Sequence, residues 1–143
     1  MPTITRAVIA QLYQQHEQLR AIAADCEVLA DRFDAGHPVA SQLVRRIARL
    51  RTAVAAHNRY EESILRPILI AAADPRGDVD RMVHEHVREH GRVRHDLSVA
   101  GAAVTSVDDL RSVLVALHRH LAEEERYFAM LYDTCEPVTG EAR

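Results

Sequence analysis

Leu43-Val44-Arg45-Arg46-Ile47-Ala48-Arg49-Leu50-Arg51-Thr52-Ala53-Val54-Ala55-Ala56-His57-Asn58-Arg59-Tyr60-Glu61 is the stretch whose reading decides the fold. Its apolar residues Leu43, Ile47, Leu50 and Val54 recur at steps of three and four, which places them on one face of an α-helix. No sustained period-two alternation competes with that reading. The stripe continues through His57 and Glu61 to Ile64, Leu65 and Ile68. Because a helix turns about 100° per residue, His57 and Glu61 point within about 40° of each other. A base and an acid thus stand on the face that should be buried.

Outward from this stretch, glycine and proline punctuate a chain otherwise rich in Ala, Leu, Arg and Glu. The first helix is expected from Thr5 to Ala35, ended by Gly36-His37-Pro38. The second is expected from Val39 to Ala73, with a kink at Pro67, before the turn Asp74-Pro75-Arg76-Gly77. The third should run from Asp78 to Ala100 and stop at Gly101. The fourth should cover Val107 to Thr134, with Ser106 and Asp109 as N-cap and reciprocal partner. Short connections between long helices favour antiparallel neighbours. The expected fold is all-α: an up-down-up-down antiparallel four-helix bundle over residues 1–134, with a flexible tail at 135–143.

Composition excludes several function classes. A chain of 143 residues, 48% hydrophobic, suits one domain with a sizeable core. The 18 basic residues are all arginine and are balanced by 21 acids, with no basic tail or acidic run to announce a nucleic-acid or membrane partner. The most apolar stretch, Ile64 to Ala73, is far too short to span a bilayer. The N-terminus lacks the pattern of a secretory leader, and Cys26 and Cys135 are too few for a disulfide scaffold, so the expected location is cytoplasmic. The expected state is a monomer or weak homodimer. Arg45, Arg46, Arg49 and Arg51 are spread around their helix and read as a solvated face rather than a docking site for an acidic partner.

Nine histidines are the outlier. In the fourth helix, Leu110, Val113, Leu117, Leu121, Phe128 and Leu131 define a stripe holding His120 and Glu124, an echo of His57 and Glu61. In the third, Val79, Val83, Val93 and Leu97 align with His86 and His90. In the first, Val8, Leu12, Leu19, Ile22, Cys26 and Leu29 centre a stripe with His16 toward its edge. His84, His95 and His118 fall on opposite faces, and His37 lies in a loop. A single inward histidine is most often an ordinary hydrogen-bonded core residue, and a buried acid is costly unless paired. Five histidines and two glutamates converging from four helices are satisfied together by a metal pair.

Imidazole with carboxylate and no thiolate suits iron, manganese or zinc, and seven ligands exceed what one tetrahedral zinc uses. They suit two six-coordinate ions with shared carboxylates, a solvent-derived bridge and one open position. Ferritin-like sites differ, being carboxylate-rich with a Glu-x-x-His order.

His16 with Leu19-Arg20, His57-x-x-x-Glu61-Glu62 followed by Pro67, Glu85-His86-x-x-x-His90 and His120-x-x-x-Glu124 together resemble the hemerythrin-like, or HHE cation-binding, family over nearly the whole chain. The resemblance implies a non-haem di-iron centre, two Fe ions with an oxo or hydroxo bridge, in a four-helix bundle. His86, His90 and His120 would bind one iron, His16 and His57 the other, and Glu61 and Glu124 would bridge, leaving an open position beside His16 and His57. Oxygen-carrying members have His-x-x-x-x-Asp on the last helix where this chain has His-x-x-x-Glu, so Glu125, at the longer spacing, stands as an alternative bridge. Some members use a single histidine on the third helix, which bears on His90.

The implied ligand is dioxygen, hydrogen peroxide or nitric oxide, with catalase-like or nitric-oxide-reducing turnover as the enzymatic form. An iron- or oxygen-sensing or iron-storage module without turnover is the alternative. Leu117 and Ile64, a turn from ligands, are candidates to line the ligand pocket. Tyr13, Tyr60 and Tyr127 are candidates to hydrogen-bond the bridge or donate protons. Replacing His37, His84, His95 and His118 should leave iron content unchanged.

Overall fold

The computed structural model of the chain describes residues 5–71, 85, 87–97 and 107–135, and of residues 65–71 and 134 the backbone alone. It is a bundle of four helices: α1 (Arg6–Asp34), α2 (Ala40–Ala71), α3 (described over 87–97) and α4 (Asp108–Thr134). The turn at 74–77, the start of the third helix, Gly101, Ser106 and the tail beyond 135 lie outside the described residues.

The helix ends follow local chemistry. Thr5 is extended and its hydroxyl accepts the Val8 amide at 3.3 Å, an N-cap worth about 1 kcal/mol. At the other end Gly36 adopts φ 86°, the left-handed conformation that favours glycine. The amides of His37 and Gly36 then donate to the carbonyls of Arg32 and Phe33, a Schellman closure. α2 continues through Pro67 to Ala71. α4 departs from expectation: Val107 occupies the cap without a side-chain bond, and Asp108 and Asp109 in the first turn meet the positive helix end instead.

The buried seams keep heptad spacing. On α1 the seam is Ile9, Leu12, His16, Leu19, Ala23, Cys26 and Ala30, and on α4 it is Val107, Leu110, Leu114, Leu117, Leu121, Glu124 and Phe128. Steps of three and four averaging 3.5 are the pattern of helices that coil around one another. Two sequence expectations are corrected here. His16 is not at the edge of its stripe but fully buried at its centre, because Ile9 rather than Val8 faces inward. Leu114 likewise takes the inward place expected of Val113, which is half-buried.

Contacts between helices show their directions. From α1 to α4, Arg6 stacks on Tyr132, Tyr13 meets Phe128, and Arg111 pairs with Asp31 and Asp34, so the two run antiparallel. From α1 to α2, Gln11 meets Tyr60, Gln15 meets His57 and Asp25 meets Arg46, again antiparallel. The core has two apolar parts. A large one joins Leu19 to Ala30, Val39 to Val54, Val93, Leu97 and Val107 to Leu121; a small one joins Ile9, Leu12 and Phe128. The polar layer lies between them in sequence on α1 and α4. No helix among the described residues is long and apolar enough to cross a membrane.

Candidate metal centre

Heptad spacing that buries leucine at one level buries His16, His57, Glu61, His90, His120 and Glu124 at the next, all at most 4% exposed. His86 and His84 lie outside the described residues. Two groups of potential ligand atoms form, each lying within 4.8 Å: His16, His57, Glu61 and Glu124, and His90, His120 and Glu124. Glu124 belongs to both. Its Oε2 lies 3.7 Å from His16 Nε2 and 3.5 Å from His57 Nε2, while its Oε1 lies 2.5 Å from His120 Nε2 and 3.6 Å from His90 Nε2. Glu61 Oε2 is 3.0 Å from His57 Nε2 and 4.0 Å from His90 Nε2.

Every described histidine of the cluster turns Nε2 inward and meets an oxygen with Nδ1. His16 Nδ1 is 3.2 Å from Glu125, His57 Nδ1 is 2.7 Å from Gln15, and His90 Nδ1 is 3.1 Å from Glu62. His120 Nδ1 faces Glu89 at 3.4 Å. These contacts form a ring around the bundle, each helix supporting a histidine of the next: α1 to α2, α2 to α3, α3 to α4, and α4 back to α1. An outer oxygen at hydrogen-bond distance, as at His16, His57 and His90, favours the tautomer with its proton on Nδ1 and the Nε2 lone pair directed inward, the arrangement a metal-binding histidine needs. The Nε2 atoms of His16 and His57 then face each other at 3.2 Å, two acceptors that only a shared proton or a cation reconciles. The donor set fits a cation.

The electrostatics agree. Burial opposes charge on His57, but Glu124 and Glu61 outweigh it and raise its pKa to about 9. Burial also opposes charge on Glu124, yet its contacts with Glu61, His120, His16 and His57 hold it well below the usual carboxylate range. A cation here would take over the place of the proton on His57.

The remaining candidates are distributed unevenly. Glu125, the alternative bridge, lies on the outer side of His16, where it binds Arg20. Tyr13 donates its hydroxyl to the Glu125 carbonyl at 3.2 Å, and Tyr60 donates to Gln11 at 2.8 Å. Tyr127 is pushed up to about 12 by burial and then by the Glu61 and Glu85 charges, so its hydroxyl keeps its proton. Leu117 belongs to the large apolar cluster and Ile64 is half-buried. His37 and His95 are exposed, while His118 pairs with Glu27 at 3.0 Å. Cys26 and Cys135 are free, and burial raises the Cys26 thiol to about 11, far from ligand character.

Sequence reading missed the outer oxygens, although a signal exists. Gln15, Glu62, Glu89 and Glu125 each adjoin an inward residue, namely His16, Glu61, His90 and Glu124. One step along a helix turns a side chain by about 100°, from the core toward the neighbouring helix.

Comparison with known proteins agrees with this geometry. No curated protein and no solved structure matches the chain. The family model of the hemerythrin HHE cation binding domain matches residues 7–132, which spans all four helices and every inward ligand candidate. The chain therefore belongs to the hemerythrin HHE cation-binding domain family.

Proposed function

We propose that the cluster holds two iron ions and that the protein binds or reacts with dioxygen, hydrogen peroxide or nitric oxide there. The observation that carries this reading is the orientation of Glu124, with one carboxylate oxygen toward each histidine group. A carboxylate so placed is suited to bridge, and Glu61, between His57 and His90, is suited to do the same. His16 and His57 would serve one ion, and His90 and His120, with His86, the other. An iron pair supplies an open coordination position and two-electron redox capacity.

The chain's own residues supply the rest. The outer oxygens fix the imidazole tautomers and keep the inward lone pairs available. Phe128, 5.1 Å from His16 between ring centres, together with Leu12 and Ile9, walls the site on one side and excludes water. Tyr127, near Glu61 and protonated, is the hydroxyl best suited to hold a proton beside the carboxylates.

Metal analysis of the purified chain, with absorption spectra before and after peroxide, tests the proposal. About two irons per chain with oxo-bridge bands, lost in His57→Ala and Glu61→Ala, is the expected result. Zero metal in a chain of undiminished stability would overturn it. Rapid dioxygen evolution from peroxide marks an enzyme, and a stable reversible adduct with air marks a carrier or sensor.

A further inference from the structure

The ring of outer contacts is chemically uneven. His16, His90 and His120 face carboxylates, from Glu125, Glu62 and Glu89, whereas His57 faces the neutral side-chain amide of Gln15. A carboxylate behind an imidazole draws on the Nδ1 proton and makes Nε2 a stronger donor; an amide oxygen does so less. His57 is therefore the one described histidine of the cluster whose outer partner carries no charge.

His57 also lies on the wall of an open groove. This groove of about 590 Å³ between α1 and α2 has Gln15, Ala53, Ala56 and His57 in its lining, with the oppositely charged Asp25 and Arg49 also on its wall. Gln15 thus touches the groove and the histidine at once. Small Ala53 and Ala56 leave the groove open where larger side chains would fill it.

We infer that Gln15 is a positioning residue that makes His57 the labile ligand, and that the α1/α2 groove above it is the port through which a hydrated divalent iron enters and leaves. This rests on the di-iron reading. The ion on the His16 and His57 side exchanges first, because its bond to His57 is the one most easily surrendered to incoming water.

The test uses the full chain, loaded anaerobically with ferrous iron and then exposed to excess external chelator. Release is followed in the wild type, Gln15→Glu and Ala56→Phe. Gln15→Glu keeps the side-chain shape and gives His57 a carboxylate; it should slow release of the faster ion on the order of tenfold. Ala56→Phe narrows the groove from an exposed helical position and should slow release and loading alike, at unchanged iron per chain. Unchanged melting temperatures of the metal-free proteins separate these effects from altered folding. Two irons in all three chains with equal release rates would overturn this inference alone. A wild type that takes up no iron would overturn the di-iron reading and this inference with it.

Discussion

Arg20 grips Glu125 end-on, Nη1 to Oε1 at 2.7 Å and Nη2 to Oε2 at 2.8 Å, and the same Oε1 lies 3.2 Å from His16 Nδ1. Through this pair α1 and α4 hold each other's charge. The bond to Glu125 raises the Arg20 pKa, and the bond to Arg20, against the effect of burial, lowers that of Glu125. Glu125 is thereby kept ionised and aimed at the outer nitrogen of His16. Bidentate geometry requires the planar guanidinium, so lysine at position 20 would not reproduce it.

Glu125→Gln should therefore weaken metal binding about 10- to 100-fold while leaving the helical content intact. Arg20→Ala should move affinity in the same direction by less, because Glu125 remains. The pair is partly exposed, 29% and 24%, so its loss should cost only about 1 kcal/mol of stability. Metal titration alongside urea unfolding checks both.

Glu124 shared by both histidine groups predicts an asymmetry among ligand variants. Glu124→Gln should abolish binding of both ions. His16→Ala should spare the group of His90, His120 and Glu124 and retain about one ion. Metal content per chain distinguishes these outcomes, and two ions in Glu124→Gln would refute the shared role.

The metal-free chain should lose stability as the solution becomes alkaline. His57 has a pKa near 9 in the folded state against about 6.5 unfolded, so its protonation stabilises fully below 6.5 and fades as pH rises through 9. Glu124 has the opposite sign: its contribution is present above the ordinary carboxylate pKa and is lost as pH falls below it. Urea midpoints of the metal-free protein should decline between about pH 6.5 and 9, with a much flatter profile in His57→Gln. Metal affinity should rise over the same interval, because the ion competes with that proton.

Phe128→Ala should cost about 3–5 kcal/mol, since the ring is 1% exposed and anchors the small apolar cluster. It packs on both Tyr13 and His16, so the variant should also loosen His16 and weaken metal binding. By contrast, combined His37→Gln, His95→Gln and His118→Gln should leave metal content unchanged, His118 losing only a surface contact with Glu27. Calorimetry and metal analysis on the two proteins check this contrast.

The fold was legible because heptad spacing is a one-dimensional record of burial: residues three and four apart on a seam must share a face. His57 with Glu61 and His120 with Glu124 follow from that rule alone. His16 was harder, because Val8 and Ile9 are adjacent, similar in chemistry, and only the packed bundle decides which turns inward. The partners of the Nδ1 atoms were harder still. Gln15 and His57 are 42 residues apart, and Glu125 and His16 are 109 apart, so their meeting depends on helix order around the bundle. Local periodicity does not encode that order.

The ring of outer contacts bears on that order. Apolar seams alone would pack nearly as well if α2 stood to the left of α1 as to its right, giving two mirror-related circuits of the same helices. Gln15 and Glu89 precede their inward neighbours on α1 and α3, while Glu62 and Glu125 follow theirs on α2 and α4. Because alternate helices run in opposite directions, all four side chains lean the same way around the axis. In the opposite circuit each would lean toward the histidine of its other neighbouring helix, so that Gln15 would meet α4 and Glu62 would meet α1. The four residues that steady the imidazoles thus also tie each helix to a particular neighbour, Gln15 to α2 and Glu125 to α1, a pairing made by polar groups rather than by the core.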